Sequence, residues 1–278
     1  MHKISDIKGT FTLRNGVDMP YLGLGVFQSK DGFEVANAVK WALETGYRHI
    51  DTASVYNNEK GVGRGIRESE VNRKDVFLVS KVWNSDQGYE STLKAFDASL
   101  RRLQTDYLDL YLVHWPVLGK YKETWRALEY LYNEGRVRAI GVSNFLKHHL
   151  QDLIPDSNIV PMVNQMEFHP YLVQQELIDF CSENTIQYEA WSPLMQGNIF
   201  DLEPIRNLAK QYKKTVAQIV LRWDLQHGVV TIPKSVRRDR IIANADIFDF
   251  ELSQKDMVLL KGMDRGKRFG ADPDNFNF

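Results

Sequence analysis

The chain has 278 residues, with 35 basic and 36 acidic side chains and a formal net charge of −1. That balance excludes a bulk electrostatic footprint for nucleic acid or an anionic membrane, so a charged ligand must be met by local groups. A single cysteine, Cys181, excludes an intrachain disulfide and a multi-cysteine metal site, and no metal centre is expected.

The length suits one α/β barrel domain over residues 1–278. The first residues, Met-His-Lys-Ile-Ser-Asp, carry no apolar core of a signal peptide, and no window approaches a membrane span. A soluble, cytoplasmic, monomeric protein is the expectation. Cys181 reads as a small apolar residue on a helix face.

In chain order, Phe11 to Leu13 and Val17 to Met19 flank Arg14-Asn15-Gly16, and Asn-Gly between alternating runs predicts a β-hairpin that plugs one end of the fold. Tyr21 to Gly25 reads as a buried strand. Phe33 to Thr45 reads as a helix with Ala36, Val39 and Leu43 on one face, ended by Gly46. His49 to Asp51 is a second strand, and Asn57 or Asn58 would cap the next helix.

The alternation continues with strands at Val76 to Lys81, Leu108 to His114, Val137 to Val142, Met162 to Met166, Ile186 to Trp191 and Val229 to Pro233. Between them lie stripes at helical spacing: Leu93, Phe96, Leu100 and Leu103; Trp125, Leu128, Leu131 and Tyr132; Val173, Leu177, Phe180 and Cys181; and Ala217, Val220, Leu221 and Leu225. Eight strand–helix units in this length predict a closed (β/α)8 TIM barrel rather than an open doubly wound sheet. Gly61-Val62-Gly63-Arg64-Gly65 follows a loop rather than a strand and lacks the spacing of a dinucleotide fingerprint.

Barrel enzymes carry their working groups at the C-terminal ends of strands. Here the second strand ends in Asp51, followed by Tyr56; the third ends in Lys81 and the fourth in His114. A phenol titrating near 10 donates protons poorly at neutral pH unless a cation favours its anion. Lys81 is the candidate cation, steadied by Asp51, and a neutral His114 would orient a substrate carbonyl. The set suits carbonyl reduction, and no nucleophile elbow, His-Glu-x-x-His or P-loop is present to suggest other chemistry.

Ser143, Asn144 and Gln165 end later strands with groups suited to a carboxamide, and Trp191 offers a ring for stacking. Lys234, Ser235 and Arg240 have the character of a phosphate clamp, which would favour NADPH over NADH.

These residues carry a resemblance. Gly46-Tyr-Arg-His-Ile-Asp51-Thr-Ala-Ser-Val-Tyr56-x-Asn-Glu, Ser80-Lys81-Val-Trp83, Tyr111-Leu-Val-His114-Trp115-Pro116, Gly141-Val-Ser-Asn144-Phe145, Asn164-Gln165, Trp191-Ser-Pro-Leu194 and Ile232-Pro-Lys-Ser-Val236 resemble the aldo-keto reductase family along essentially the whole chain. The branch most similar is the short bacterial one that includes glyoxal/methylglyoxal and 2,5-diketo-gluconate reductases.

The resemblance implies a barrel that binds NADPH in extended form, with Asp51, Tyr56, Lys81 and His114 as the catalytic tetrad and Tyr56 as general acid. It implies that Ser143, Asn144 and Gln165 hold the carboxamide and that Trp191 stacks on the nicotinamide. Ser192, Leu194 and Gln196 would lie along the pyrophosphate, and Gly25 and Val26 near the ribose beside Asp51. Lys234, Ser235, Val236, Arg240 and Asn244 would hold the 2′-phosphate and adenine end. Phe27, Tyr56, Trp83, His114 and Trp115 would line the pocket for a small carbonyl substrate.

Two departures accompany it: Trp191, still an aromatic face, stands where many members have Tyr, and Ala243 where many have an acid or amide; the segment from Arg268 to Phe278 is also short. Weaker adenine contacts and an open pocket, with Phe276 or Phe278 at its edge, are expected. The competing function on the same barrel is a non-catalytic nucleotide-binding or structural protein.

Overall fold

The computed structural model describes residues 4–278. A two-stranded antiparallel hairpin, β1 (Thr10–Thr12) and β2 (Asp18–Pro20), comes first, with Phe11 opposite Met19. Asn15 at its turn donates to the carbonyl of Arg138, at the N-terminal end of a barrel strand, so the hairpin closes the bottom as expected. Leu13 and Met19 are buried there.

The barrel strands are β3 (Gly23–Gly25), β4 (His49–Asp51), β5 (Phe77–Val82), β6 (Leu108–Val113), β7 (Val137–Ser143), β8 (Val163–Glu167), β9 (Gln187–Trp191) and β10 (Val230–Thr231). They run parallel in sequence order, and bridges Leu22↔Thr231 and Gly25↔Lys234 join the last strand to the first. Closure depends on Gly25: a Cβ there would stand 2.8 Å from the Ile232 carbonyl oxygen. Strand ends differ by at most two residues from the sequence reading, β4 not at all.

Around the barrel lie α1 (Phe33–Thr45), α2 (Glu59–Glu68), α3 (Tyr89–Leu103), α4 (Tyr121–Asn133), α5 (Lys147–Leu153), α6 (Gln175–Glu183), α7 (Glu203–Tyr212), α8 (Val216–Gln226), α9 (Arg238–Ala245) and α10 (Gln254–Lys261). The apolar stripes face inward: Ala36, Val39 and Leu43 of α1, Trp125, Leu128 and Leu131 of α4, and Val220, Leu221 and Leu225 of α8 are all buried. Val173 is buried but precedes α6, because Gln174 takes a left-handed conformation with φ 51° and starts the helix late. Cys181 is buried on α6, and burial pushes its thiol up to about 12, away from reactivity.

The glycines of α2 serve packing. Cβ atoms at Gly63 and Gly65 would lie 2.1 Å from the Leu103 carbonyl oxygen and 2.5 Å from that of Ala36. The bare backbone lets α2 settle between α1 and α3, and so sets the position of the loop that precedes it.

Asn58 occupies the N-cap position of α2 but does not cap it. Its buried amide donates to the carbonyls of Val26 (2.9 Å) and Ser29 (3.1 Å) and accepts from Thr52 Oγ1 (2.8 Å). The capping expectation fails because three polar groups from the β3 and β4 exits converge there, and bonding to them outweighs one cap. The side chain thus fastens the loop bearing Phe27 to the turn bearing Tyr56.

Candidate active site

Asp51 is the last residue of β4, and Lys81 lies near the end of the adjacent β5. Lys81 Nζ donates to Asp51 Oδ1 at 2.7 Å, Oδ2 at 2.8 Å and the Thr52 carbonyl at 2.9 Å. The lysine side chain has no exposed surface. Such a pair must be satisfied internally, since several kcal/mol of lost hydration per ion would otherwise oppose burial.

Tyr56 ends a single 3-10 turn, Ser54–Tyr56, that Ser54 Oγ pins to the Lys81 carbonyl at 3.1 Å. The Lys81 ammonium lies 5.2 Å from the Tyr56 ring centre. His114, just past β6, sets its ring 5.8 Å from that of Tyr56 and 5.1 Å from Trp83, and Phe27 stands 5.0 Å from Tyr56 on the other side. Asp51, Tyr56, Lys81 and His114 are therefore brought together at one mouth of the barrel.

The electrostatics qualify one expectation. Burial raises the Tyr56 phenol above its ordinary value; Lys81 opposes this by its charge, while Asp51 and Glu189 add to it. Lys81 acts in the direction expected, but burial is larger, so the hydroxyl keeps its proton at neutral pH. That is the form from which an acid must start. Burial, with the Lys81 charge beside it, holds His114 well below its usual range and therefore neutral.

Ser143, Asn144 and Gln165 cluster at the ends of β7 and β8. Asn144 donates to the His114 carbonyl (3.0 Å) and accepts from the Trp191 indole (2.9 Å), which fixes the stacking candidate edge-on to the cluster. Ser143 Oγ donates to the Gln165 carbonyl at 3.0 Å. The Gln165 amide donates to Asp51 Oδ2 and to Glu189 Oε2, both at 2.9 Å.

Asn144, Ser192, Met195 and Gln196 all have left-handed backbone, with φ between 52° and 64°. Non-glycine residues in that region cost about 1–3 kcal/mol each and persist where surrounding structure over-determines them. Ser192 and Leu194 line the loop after β9, whereas Gln196 reaches the Phe269 carbonyl at 3.1 Å and so holds the C-terminal segment. Gly25 and Val26 lie beside Asp51, the Val26 amide donating to the Asp51 carbonyl (3.1 Å); Val26 is wholly buried, and its carbonyl already accepts from Asn58.

Lys234 and Arg240 are exposed, Ser235 and Asn244 are buried and Val236 lies between. Arg237 pairs with Asp239 and Arg238 approaches Glu44, but among the described residues Lys234 and Arg240 form no ion pair. Arg237, at the N-cap of α9, supplies no side-chain cap, so the first amides of that helix lack one.

The tail does more than edge the pocket. Phe278 stacks on Trp83 with centres 5.6 Å apart and planes 5° from parallel, and Phe276 and Phe278 contact Trp115 at 5.1 and 5.2 Å. Asn84 Nδ2 holds the Phe278 carbonyl oxygen at 3.0 Å. Farther back, His148 approaches Asp274 at 3.0 Å, and Glu167 Oε1 accepts the Phe269 and Gly270 amides. The expected open pocket is instead walled by this aromatic group.

Sequence reasoning missed Asn84, Glu167 and the Glu189–His49 contact. The period-two pattern of β9, placing Glu189 on the same face as Trp191, was the available signal for Glu189.

A model of the Aldo/keto reductase family matches residues 21–265. Glyoxal reductase of Bacillus subtilis (strain 168) is 59% identical over 274 residues, covering 99% of each chain. Methylglyoxal reductase DkgA of Escherichia coli (strain K12) is 47% identical over 268 residues, 95% of this chain and 96% of that one. A crystal structure of a Gox0644 mutant in complex with NADPH superposes with a TM-score of 0.92 at 43% identity, covering 97% of this chain and 98% of that one.

Proposed function

This chain belongs to the aldo/keto reductase family, and from that premise we propose that Asp51, Tyr56, Lys81 and His114 are its catalytic residues in the reduction of small aldehydes and ketones to alcohols. The protein is an NADPH-dependent carbonyl reductase. The observation that carries the residue assignment is the buried Lys81–Asp51 pair beside a protonated Tyr56 and a neutral His114.

The donor set suits the cofactor. Two exposed cations without carboxylate partners among the described residues, Lys234 and Arg240, stand by a helix start that its N-cap side chain leaves free, which is the chemistry that receives a phosphate. Ser143, Asn144 and Gln165 would orient the carboxamide, Trp191 would cover one ring face, and Ser192 and Leu194 would follow the pyrophosphate. Gly25 and Val26 would lie near the ribose, beside Asp51, with Ser235, Val236 and Asn244 at the adenine end. When bound, NADPH supplies the hydride.

The chain's own residues do the rest. His114 offers a ring nitrogen to the carbonyl oxygen and orients it. Tyr56 gives its hydroxyl proton to that oxygen as negative charge develops, and Lys81 stabilises the phenolate left behind. Asp51 holds the ammonium where this is possible. Phe27, Trp83 and Trp115 exclude water and bound the substrate.

Glyoxal and methylglyoxal are the substrates we propose, on the names of the relatives, with alcohol dehydrogenase-type chemistry on CH–OH groups and a cytoplasmic monomer as the working form. Loss of NADPH absorbance on addition of methylglyoxal tests the reading. Binding of the nucleotide without turnover of methylglyoxal, glyoxal or any simple aldehyde would overturn it.

A further inference from the structure

Beneath the Lys81–Asp51 pair the barrel holds a second carboxyl group that the reaction described above does not use. Glu189 on β9 is wholly buried, and its Oε2 accepts from the Gln165 amide that also reaches Asp51. Its Oε1 stands 3.4 Å from Nε2 of His49, which is wholly buried too. Room for the imidazole comes from Gly23, where a Cβ would lie 2.7 Å from His49 Cγ.

Counting protons settles what must lie between them. His49 Nδ1 is 3.2 Å from the Pro20 carbonyl oxygen, which only accepts, so Nδ1 carries hydrogen. In a neutral ring Nε2 is then a lone pair aimed at Glu189 Oε1, and neither atom has another partner. Two buried lone pairs facing each other repel; one shared proton turns the contact into a hydrogen bond.

The carboxyl group is the holder favoured by its surroundings. The charged and titratable groups facing Glu189 are His49 and Asp51 from β4, Lys81 from β5 and Tyr56 from the turn between β4 and α2. The flanking strands give the amide of Gln165 and, on β10, Val230. Lys81 is already committed to Asp51 and Thr52, so no cation is left for a second carboxylate. Burial, aided by Asp51, pushes the Glu189 carboxyl up to about 8, and burial pushes the His49 imidazole down to about 4. Asp109, which also acts on His49, is paired with Arg73 and Arg138.

We propose that Glu189 is a neutral carboxylic acid donating to His49 Nε2, and that it is a positioning residue which, through Gln165, leaves the Lys81 charge to Asp51 and Tyr56. Loss of this proton to solvent in alkaline solution places a second anion under the site. That anion opposes ionisation of Tyr56, making it a weaker acid, and reduction slows before Tyr56 itself titrates. The coupling to rate rests on Tyr56 as proton donor; the protonation of Glu189 does not.

Infrared difference spectra of wild type and Glu189→Gln at neutral pH test the protonation, with and without NADPH. We expect a carboxylic-acid carbonyl band in wild type, shifted in deuterium oxide and missing from the variant; its absence from wild type overturns the proposal. The second arm is kcat for reduction against pH, where wild type should show an inflection near 8 that Glu189→Gln lacks. The same inflection in both proteins overturns the coupling, whereas near-normal turnover by Tyr56→Phe would instead sink the proton-donor reading. Should Glu189→Gln not fold, wild type labelled with carbon-13 glutamate answers the same question: an acid band that fades with rising pH supports the proposal, and no band refutes it.

Discussion

Lys81 and Asp51 form a two-pronged ion pair with no solvent at the lysine, its Nζ 2.7 and 2.8 Å from the two carboxylate oxygens. Removing one partner leaves the other charge buried and alone. Lys81→Met should therefore destabilise the fold by about 3–5 kcal/mol, and Lys81→Met combined with Asp51→Asn by clearly less. Urea unfolding of the three proteins checks this; a single-variant loss below about 1 kcal/mol would contradict the buried-pair account.

Tyr56→Phe removes the hydroxyl and keeps the ring that packs against Phe27 and His114. kcat for methylglyoxal should fall at least ~100-fold, the usual contribution of a general acid. NADPH affinity, read by fluorescence titration, should stay within about twofold, because the phenol is assigned to the carbonyl.

Arg240 is an exposed cation beside the start of α9 with no ion pair among the described residues. A charge-assisted hydrogen bond to a phosphate contributes about 1.5–3 kcal/mol, so Arg240→Ala should raise the KM for NADPH roughly 10- to 150-fold. The KM for NADH should move little. Equal increases for the two would remove the clamp from the 2′-phosphate.

Phe278 lies flat on Trp83 at 5.6 Å. Such a contact contributes about 0.5–1.5 kcal/mol beyond its buried area, so Phe278→Ala should loosen that wall without disturbing the barrel. The ratio of kcat/KM for a bulky aromatic aldehyde to that for methylglyoxal should rise several-fold. An unchanged ratio would mean that the stack does not bound the substrate.

Four imidazoles make the fold sensitive to acid. Burial lowers His49 and His149 to about 4, His114 well below its usual range and His227 in the same direction, against 6.5 for an ordinary histidine. As pH falls from 6.5 towards 4 the unfolded chain takes up protons that the folded chain refuses, so their contribution to stability is lost over that window. Glu189, raised to about 8, works in the opposite sense, being stabilising below its unfolded value of 4.5 and losing that as pH rises to 8. The four imidazoles outnumber Glu189 and the likewise raised, buried Asp224, so the urea midpoint should drop from pH 6.5 to 4; a flat midpoint would contradict their neutral burial.

Parallel strands buried on both faces read as apolar runs, which is why the barrel was legible and why Asp51, Lys81 and His114 stood out as polar strand endings. Tyr56 was legible from its place after Asp51. The Glu189–His49 contact was not: the two lie far apart in sequence, and only closure of the barrel makes them neighbours across its interior. Asn58 misled because the cap rule weighs one helix, while the residue satisfies groups on two other loops. The aromatic wall depends on a tail whose path is set by Asn84, Glu167 and Gln196, none of which announces such a role locally.

Asn58 has a consequence for how the molecule can breathe. By joining the carbonyls of Val26 and Ser29 to the hydroxyl of Thr52, it welds one rim of the chamber into a rigid jaw that carries both Phe27 and Tyr56. The opposite rim, the left-handed segment after β9 and the tail, is held instead by separate side-chain ties from Gln196, Glu167 and Asn84.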